Sequence, residues 1–89
     1  MKRTFTIMLT NRHNDAERII GMFSATGYKI EKMALAADKS PEVDRLVVVT
    51  DTSGKNIENF LIRLRQQLRV LSAISSDGDL LGSGDFRQE

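Results

Sequence analysis

The stretch Thr4–Gly27, TFTIMLTNRHNDAERIIGMFSATG, changes its hydrophobic period once, and that change restricts what the chain can fold into. Phe5, Ile7 and Leu9 alternate with Thr4, Thr6, Met8 and Thr10. Period two with β-branched and aromatic residues predicts a strand with one buried face. The polar run Asn11-Arg12-His13-Asn14-Asp15 breaks the alternation. Ala16, Ile19, Ile20 and Phe23 then recur at helical spacing, the stripe of an amphipathic helix. Asn14 or Asp15 can cap that helix, with Glu17 three residues after Asn14 in a loose capping-box spacing. Gly27 supplies the stop, where a left-handed backbone is commonly needed. A polar loop therefore joins a strand end to a helix N-terminus, where free backbone N–H groups can receive a carboxylate.

The second extended segment is YKIEKMALAA, from Tyr28. Tyr28 and Ile30 share one phase, whereas Met33 and Leu35 fall in the other. A one-residue slip keeps Ile30, Met33 and Leu35 all on the buried side, which predicts a β-bulge near Glu31-Lys32. Asp38-Lys39-Ser40-Pro41-Glu42 is a hairpin loop. Arg45–Thr50 is a short β-branched run and reads as the most buried strand. Its outward face is either Leu46 and Val48 or Val47 and Val49. Thr52 or Ser53 can cap a second helix, whose stripe is Ile57, Phe60, Leu61, Leu64 and Leu68. Arg63, Arg65 and Arg69 read as a solvated face near the helix C-terminus, where cations complement the dipole. Val70–Ile74 is the last strand. Residues 1–75 are expected to form one domain and residues 76–89 a flexible polar tail.

The order β-α-β-β-α-β is the split-βαβ, ferredoxin-like topology of the α+β class: a four-stranded antiparallel sheet with both helices on one face. Right-handed connections put the first and third strands in the middle. At 89 residues the domain buries only about 60–65% of its unfolded surface, and a bare sheet edge invites pairing. A symmetric homodimer is expected.

Several functions are disfavoured by the residues. The chain has no cysteine, hence no disulfide and no thiolate nucleophile or metal ligand. His13 is the only histidine and stands beside no nucleophile motif. No acidic cluster has metal-ligand spacing, and Gly82-Ser83-Gly84 follows no strand and opens no helix, so it is no phosphate cradle. No catalytic residue, metal or cofactor is expected. A net charge of +1 gives no field for nucleic acid, and the outward face of the central strands lacks the aromatics of an RNA-binding sheet. The apolar part of MKRTFTIMLT is too short and too interrupted for a signal peptide, and no run reaches membrane-spanning length. A cytoplasmic location is expected.

Five segments in order carry a resemblance: Asn11 at the end of the first strand; Arg18-Ile19-Ile20-Gly21-Met22-Phe23-Ser24; Thr26-Gly27-Tyr28-Lys29-Ile30-Glu31-Lys32-Met33; Asp44-Arg45-Leu46; and Leu61 to Leu71. They are similar to an ACT domain, specifically that of the small regulatory subunit of acetohydroxyacid synthase (acetolactate synthase), over roughly Thr4 to Ile74. That resemblance implies a non-catalytic subunit. It would bind and activate a large, thiamine-diphosphate-dependent catalytic subunit in branched-chain amino-acid biosynthesis. It also implies an effector site between paired domains, using the first loop of one and the start of the second strand of the other. Carried onto this sequence, the effector-binding residues are Asn11, Arg12, His13, Asn14, Asp15 and Ala16 with Lys29 and Ile30, and the ligand a branched-chain amino acid. A different reading of the same domain is a stand-alone amino-acid sensor or dimerisation module regulating another enzyme.

Three positions depart from the family pattern. Effector-binding members usually place Gly where Asn14 stands, Leu where Ala16 stands and Asn where Lys29 stands. A side chain at position 14 crowds the approach of a ligand carboxylate, and lysine cannot accept a hydrogen bond as an amide does. Asp15 would add a negative charge where that carboxylate lies, and at about 4–6 Å two like charges repel by a few kcal/mol before screening. Weak or absent feedback by valine is the expectation.

Overall fold

The computed structural model describes residues 1–10 and 15–81. Its elements are β1 (Lys2–Thr10), α1 (Asp15–Ser24), β2 (Lys29–Ala37), β3 (Val43–Asp51), α2 (Glu58–Arg65) and β4 (Val70–Asp77). The strands form one antiparallel sheet in the order β2-β3-β1-β4, so the first and third strands are central as expected. Phe5, Ile7 and Leu9 of β1 and Leu46 and Val48 of β3 face Ile19 and Phe23 of α1 and Phe60, Leu61 and Leu64 of α2. Both helices therefore cover one face, and Val47 and Val49 take the outward positions of β3.

Four aromatic side chains occupy the centre of this core. Phe5 meets Phe23 edge-on at 5.1 Å and Phe60 at 5.8 Å, and Phe23 meets Phe60 at 4.8 Å. Tyr28 stacks beside Phe5 at 6.4 Å and meets Phe60 edge-on at 5.5 Å. Edge-to-face pairs add about 0.5–1.5 kcal/mol beyond the area they bury.

The bulge in β2 lies where the phase slip required it. Ile30 pairs with Thr50 and Lys32 with Val49, leaving Glu31 as the extra residue, so Ile30 and Met33 both pack against the core. Gly27 has φ +86° and ends the turn after α1. The Thr26 hydroxyl donates to the Phe23 carbonyl at 2.7 Å and accepts the Tyr28 N–H at 3.0 Å, satisfying groups freed by the helix end.

Three local readings of the sequence differ from the structure. First, Thr52 and Ser53 do not cap α2. Ser53 and Gly54 form a left-handed turn after β3 (φ 54° and 76°), and Asn56 Oδ1 accepts the Glu58 N–H at the helix start. Second, α2 stops at Arg65, so Leu68 leaves the apolar stripe and is 66% exposed. Arg63 and Arg65 are exposed in the last turn of α2, as expected of a solvated face, and Arg69 alone leaves it. Arg65 Nε donates to the Ala73 carbonyl at 3.0 Å, the Arg63 guanidinium lies 5.5 Å from the Phe60 ring centroid, and Arg69 stands beyond the helix. Third, the last strand continues past Ile74 to Asp77. Phe5, Thr4 and Arg3 pair with Ser75, Ser76 and Asp77, and Arg3 donates to Asp77 and to the Ser75 hydroxyl. Gly78 to Leu81 then turn across the outer sheet face. The Thr4 hydroxyl donates to the Gly78 carbonyl and accepts the Leu80 N–H, and Lys32 pairs with Asp79 at 2.5 Å. No helix among the described residues is long and apolar enough to cross a membrane.

Phe5 touches three other rings, so its truncation leaves a cavity none of them can fill alone. Phe5→Ala is expected to cost about 3–5 kcal/mol, read as a lower urea midpoint. Leu71→Ala at a 58% exposed position should change stability by no more than about 0.5 kcal/mol.

Candidate functional site

Asp15 opens α1 and is 3% exposed. A carboxylate so placed requires partners, because its hydration is lost. Arg69 Nε donates to its Oδ1 at 2.9 Å, Arg18 Nη2 approaches the same oxygen at 3.4 Å, and the Thr10 hydroxyl donates to Oδ2 at 3.2 Å. Arg18 Nη2 also donates to the Leu68 carbonyl at 2.6 Å. The two guanidiniums are each about a third exposed. Charge-assisted bonds of this kind are the stronger class of hydrogen bond.

This arrangement revises the charge argument made from sequence. The Asp15 carboxylate is inward and held by two cations, so it presents no free negative charge to a ligand. Sequence reasoning missed Arg18 and Arg69 as members of the cluster. The topology contained a signal for the second: Leu9 pairs with Val70, which sets Arg69 beside Thr10.

Of the other expected effector residues, Asn11, Arg12, His13 and Asn14 lie outside the described residues. Ala16 is half-buried and packs against the core from the first turn of α1. Lys29 and Ile30 begin β2 at the opposite end of the sheet. Thr10 pairs with Val43, whereas Lys29 pairs with Asp51, whose partner on the other side is Lys2. Eight residue steps of strand separate those levels, about 25 Å. One chain thus keeps the stems of the first loop and the start of β2 apart. A single ligand could touch both only with a second chain supplying one of them.

Ile30 lines a groove of about 420 Å³ between α1 and β2, with Ile20, Met33, Leu35 and Leu46 as its apolar walls. Leu35 is 49% exposed there. The bulged Glu31 bonds Lys2 at 2.7 Å, and this carboxylate holds the Lys2 ammonium pKa above its ordinary value. Burial likewise pushes the Tyr28 phenol up, with Arg63 acting against it. The groove can take aliphatic side chains. Among the described residues no group of three or more His, Cys, Asp or Glu side chains could hold a metal ion.

Comparison with known proteins bears on the fold. No family model matches the chain. It is 31% identical to an acetolactate synthase small subunit of Buchnera aphidicola over 83% of its own length and 47% of that protein. The chain thus spans about half the length of this curated relative. A crystal structure of the acetolactate synthase small subunit from Thermotoga maritima superposes with TM-score 0.72 at 16% identity, covering 84% of this chain and 47% of that one. The ACT domain of GTP pyrophosphokinase from Chlorobium tepidum, solved in solution, gives TM-score 0.75 at 13% identity over 98% and 97% of the two chains. The fold is that of an ACT domain.

Replacing Asp15 by Ala leaves two guanidiniums that can rehydrate partly, so the loss is expected to fall below that of a wholly buried pair. A decrease of about 1–3 kcal/mol in unfolding free energy is predicted. Urea titration at low and high salt measures it, and a change within about 0.5 kcal/mol would contradict the bonding described for Asp15.

Proposed function

We propose that this chain, an ACT domain resembling the small regulatory subunits of acetolactate synthase, is the regulatory subunit of such an enzyme. It binds the catalytic subunit and raises its turnover, while the carbon–carbon bond chemistry belongs to that subunit and its thiamine diphosphate. The observation that carries the reading is the colinear similarity to small subunits across most of the chain, coincident with the βαββαβ fold. The chain's residues suit this role: without cysteine and with one histidine, it offers binding surfaces and no nucleophile–base pair.

The working unit is a symmetric homodimer. The separation of Thr10 from Lys29 within one chain supports it, because an effector site using both needs a two-fold partner. Sedimentation at tens of micromolar, a range suited to a weak interface, should give a dimer; a monomer there would contradict the assembly. The cytoplasm is the compartment proposed. Added to its cognate catalytic subunit, the chain should raise the rate of acetolactate formation. An unchanged rate would refute the regulatory reading.

Effector response is proposed to be weak. With the Asp15 charge paired internally, the reasons are Asn14 in place of glycine and Lys29 in place of asparagine. Asn14→Gly with Lys29→Asn should create or strengthen valine binding, measured by calorimetry alongside leucine and isoleucine. Micromolar valine binding by the unmodified chain, about 8 kcal/mol, would contradict this.

A further inference from the structure

We propose that Arg69 is a positioning residue that fixes Thr10, at the end of β1, and Asp15, at the start of α1, relative to each other. The inference deepens the effector reading above and rests on it for its consequence in ligand binding.

Arg69 uses its backbone for one stem of the connection and its side chain for the other. Its carbonyl accepts the Thr10 N–H at 3.1 Å, and its Nε donates to Asp15 Oδ1 at 2.9 Å. Its neighbour is tied in as well, since the Leu68 carbonyl accepts from Arg18 Nη2 at 2.6 Å. A residue 54 positions from Asp15 thereby spans the two residues that flank positions 11–14. Arg69 also has φ 71°, a left-handed backbone that is costly for any residue with a Cβ. It is the third residue of a turn closed by the Val70 N–H donating to the Gln67 carbonyl at 3.2 Å, a turn position that takes positive φ. With φ positive, one residue turns its carbonyl to Thr10 while its side chain reaches Asp15.

Glycine at position 69 separates the parts of this role. Arg69→Gly tolerates the left-handed backbone and keeps the carbonyl while removing the side chain that reaches Asp15. Amide hydrogen exchange then reads local opening at Ile19 and Ile20, early in α1, against Val48 in β3 as the reporter of global opening. The expected result is exchange at Ile19 and Ile20 accelerated at least tenfold more than at Val48. In the unmodified chain the Arg69 Nε–H should exchange at least tenfold more slowly than that of the half-exposed Arg45, and lose this protection in Asp15→Ala, which removes the acceptor oxygen. Equal acceleration at Ile19 and Val48 would overturn the proposal, leaving Arg69 a contributor to general stability. In the Asn14→Gly, Lys29→Asn background, Arg69→Gly should weaken valine binding at least tenfold, and Arg69→Lys by less. If that background binds no valine, the effector reading fails, while the exchange measurement still decides the positioning role.

Discussion

The Phe5 ring joins the elements of this fold. It lies in the middle of β1, a strand paired on both sides, and it touches rings from α1, from the start of β2 and from α2. A domain of this size has little interior to spare, and concentrating its bulk in four rings joined through Phe5 and Phe60 gives one core with few independent parts. The helices cannot shift on the sheet without breaking an edge-to-face contact. Thr10 follows Phe5 by five residues on the same strand, so the start of the candidate site inherits the position of the core.

The sheet and α1 were legible because each depends on a pattern that burial enforces. Alternation in β1 fixes which side faces the helices, and a bulge at Glu31 is the only way Ile30 and Met33 can share that side. Gly27 marked the end of α1 because its backbone conformation excludes most other residues. The end of α2 was not legible. Leu68 follows Leu64 by four residues and continues the stripe as periodicity counts it, yet the helix ends at Arg65 and the chain then runs to Arg69, which turns to Thr10 and Asp15. The last part of β4 was missed for the opposite reason: Ser75, Ser76 and Asp77 carry no hydrophobic pattern, and β1 supplies their partners, Arg3 above all.

The candidate site shows the same division. A resemblance could assign residues to an effector loop, but it could not show that Asp15 faces inward and is held by cations from α1 and the α2–β4 turn. That network replaces the expected repulsion between Asp15 and a ligand carboxylate with a structural tie. At positions 14 and 29 the chain carries Asn and Lys, where the family resemblance leads to an expectation of Gly and Asn. In the function proposed, regulation of a catalytic partner and response to valine are separate properties, and the second is the one tied to those two positions.

The central claim is physical association with a catalytic acetolactate synthase subunit. Sedimentation velocity of the fluorescently labelled chain, alone and with an excess of the cognate catalytic subunit, tests it without relying on turnover or effector. The account predicts that the labelled boundary moves to the faster sedimentation of the larger complex. A boundary that stays at the position of the isolated chain would contradict it.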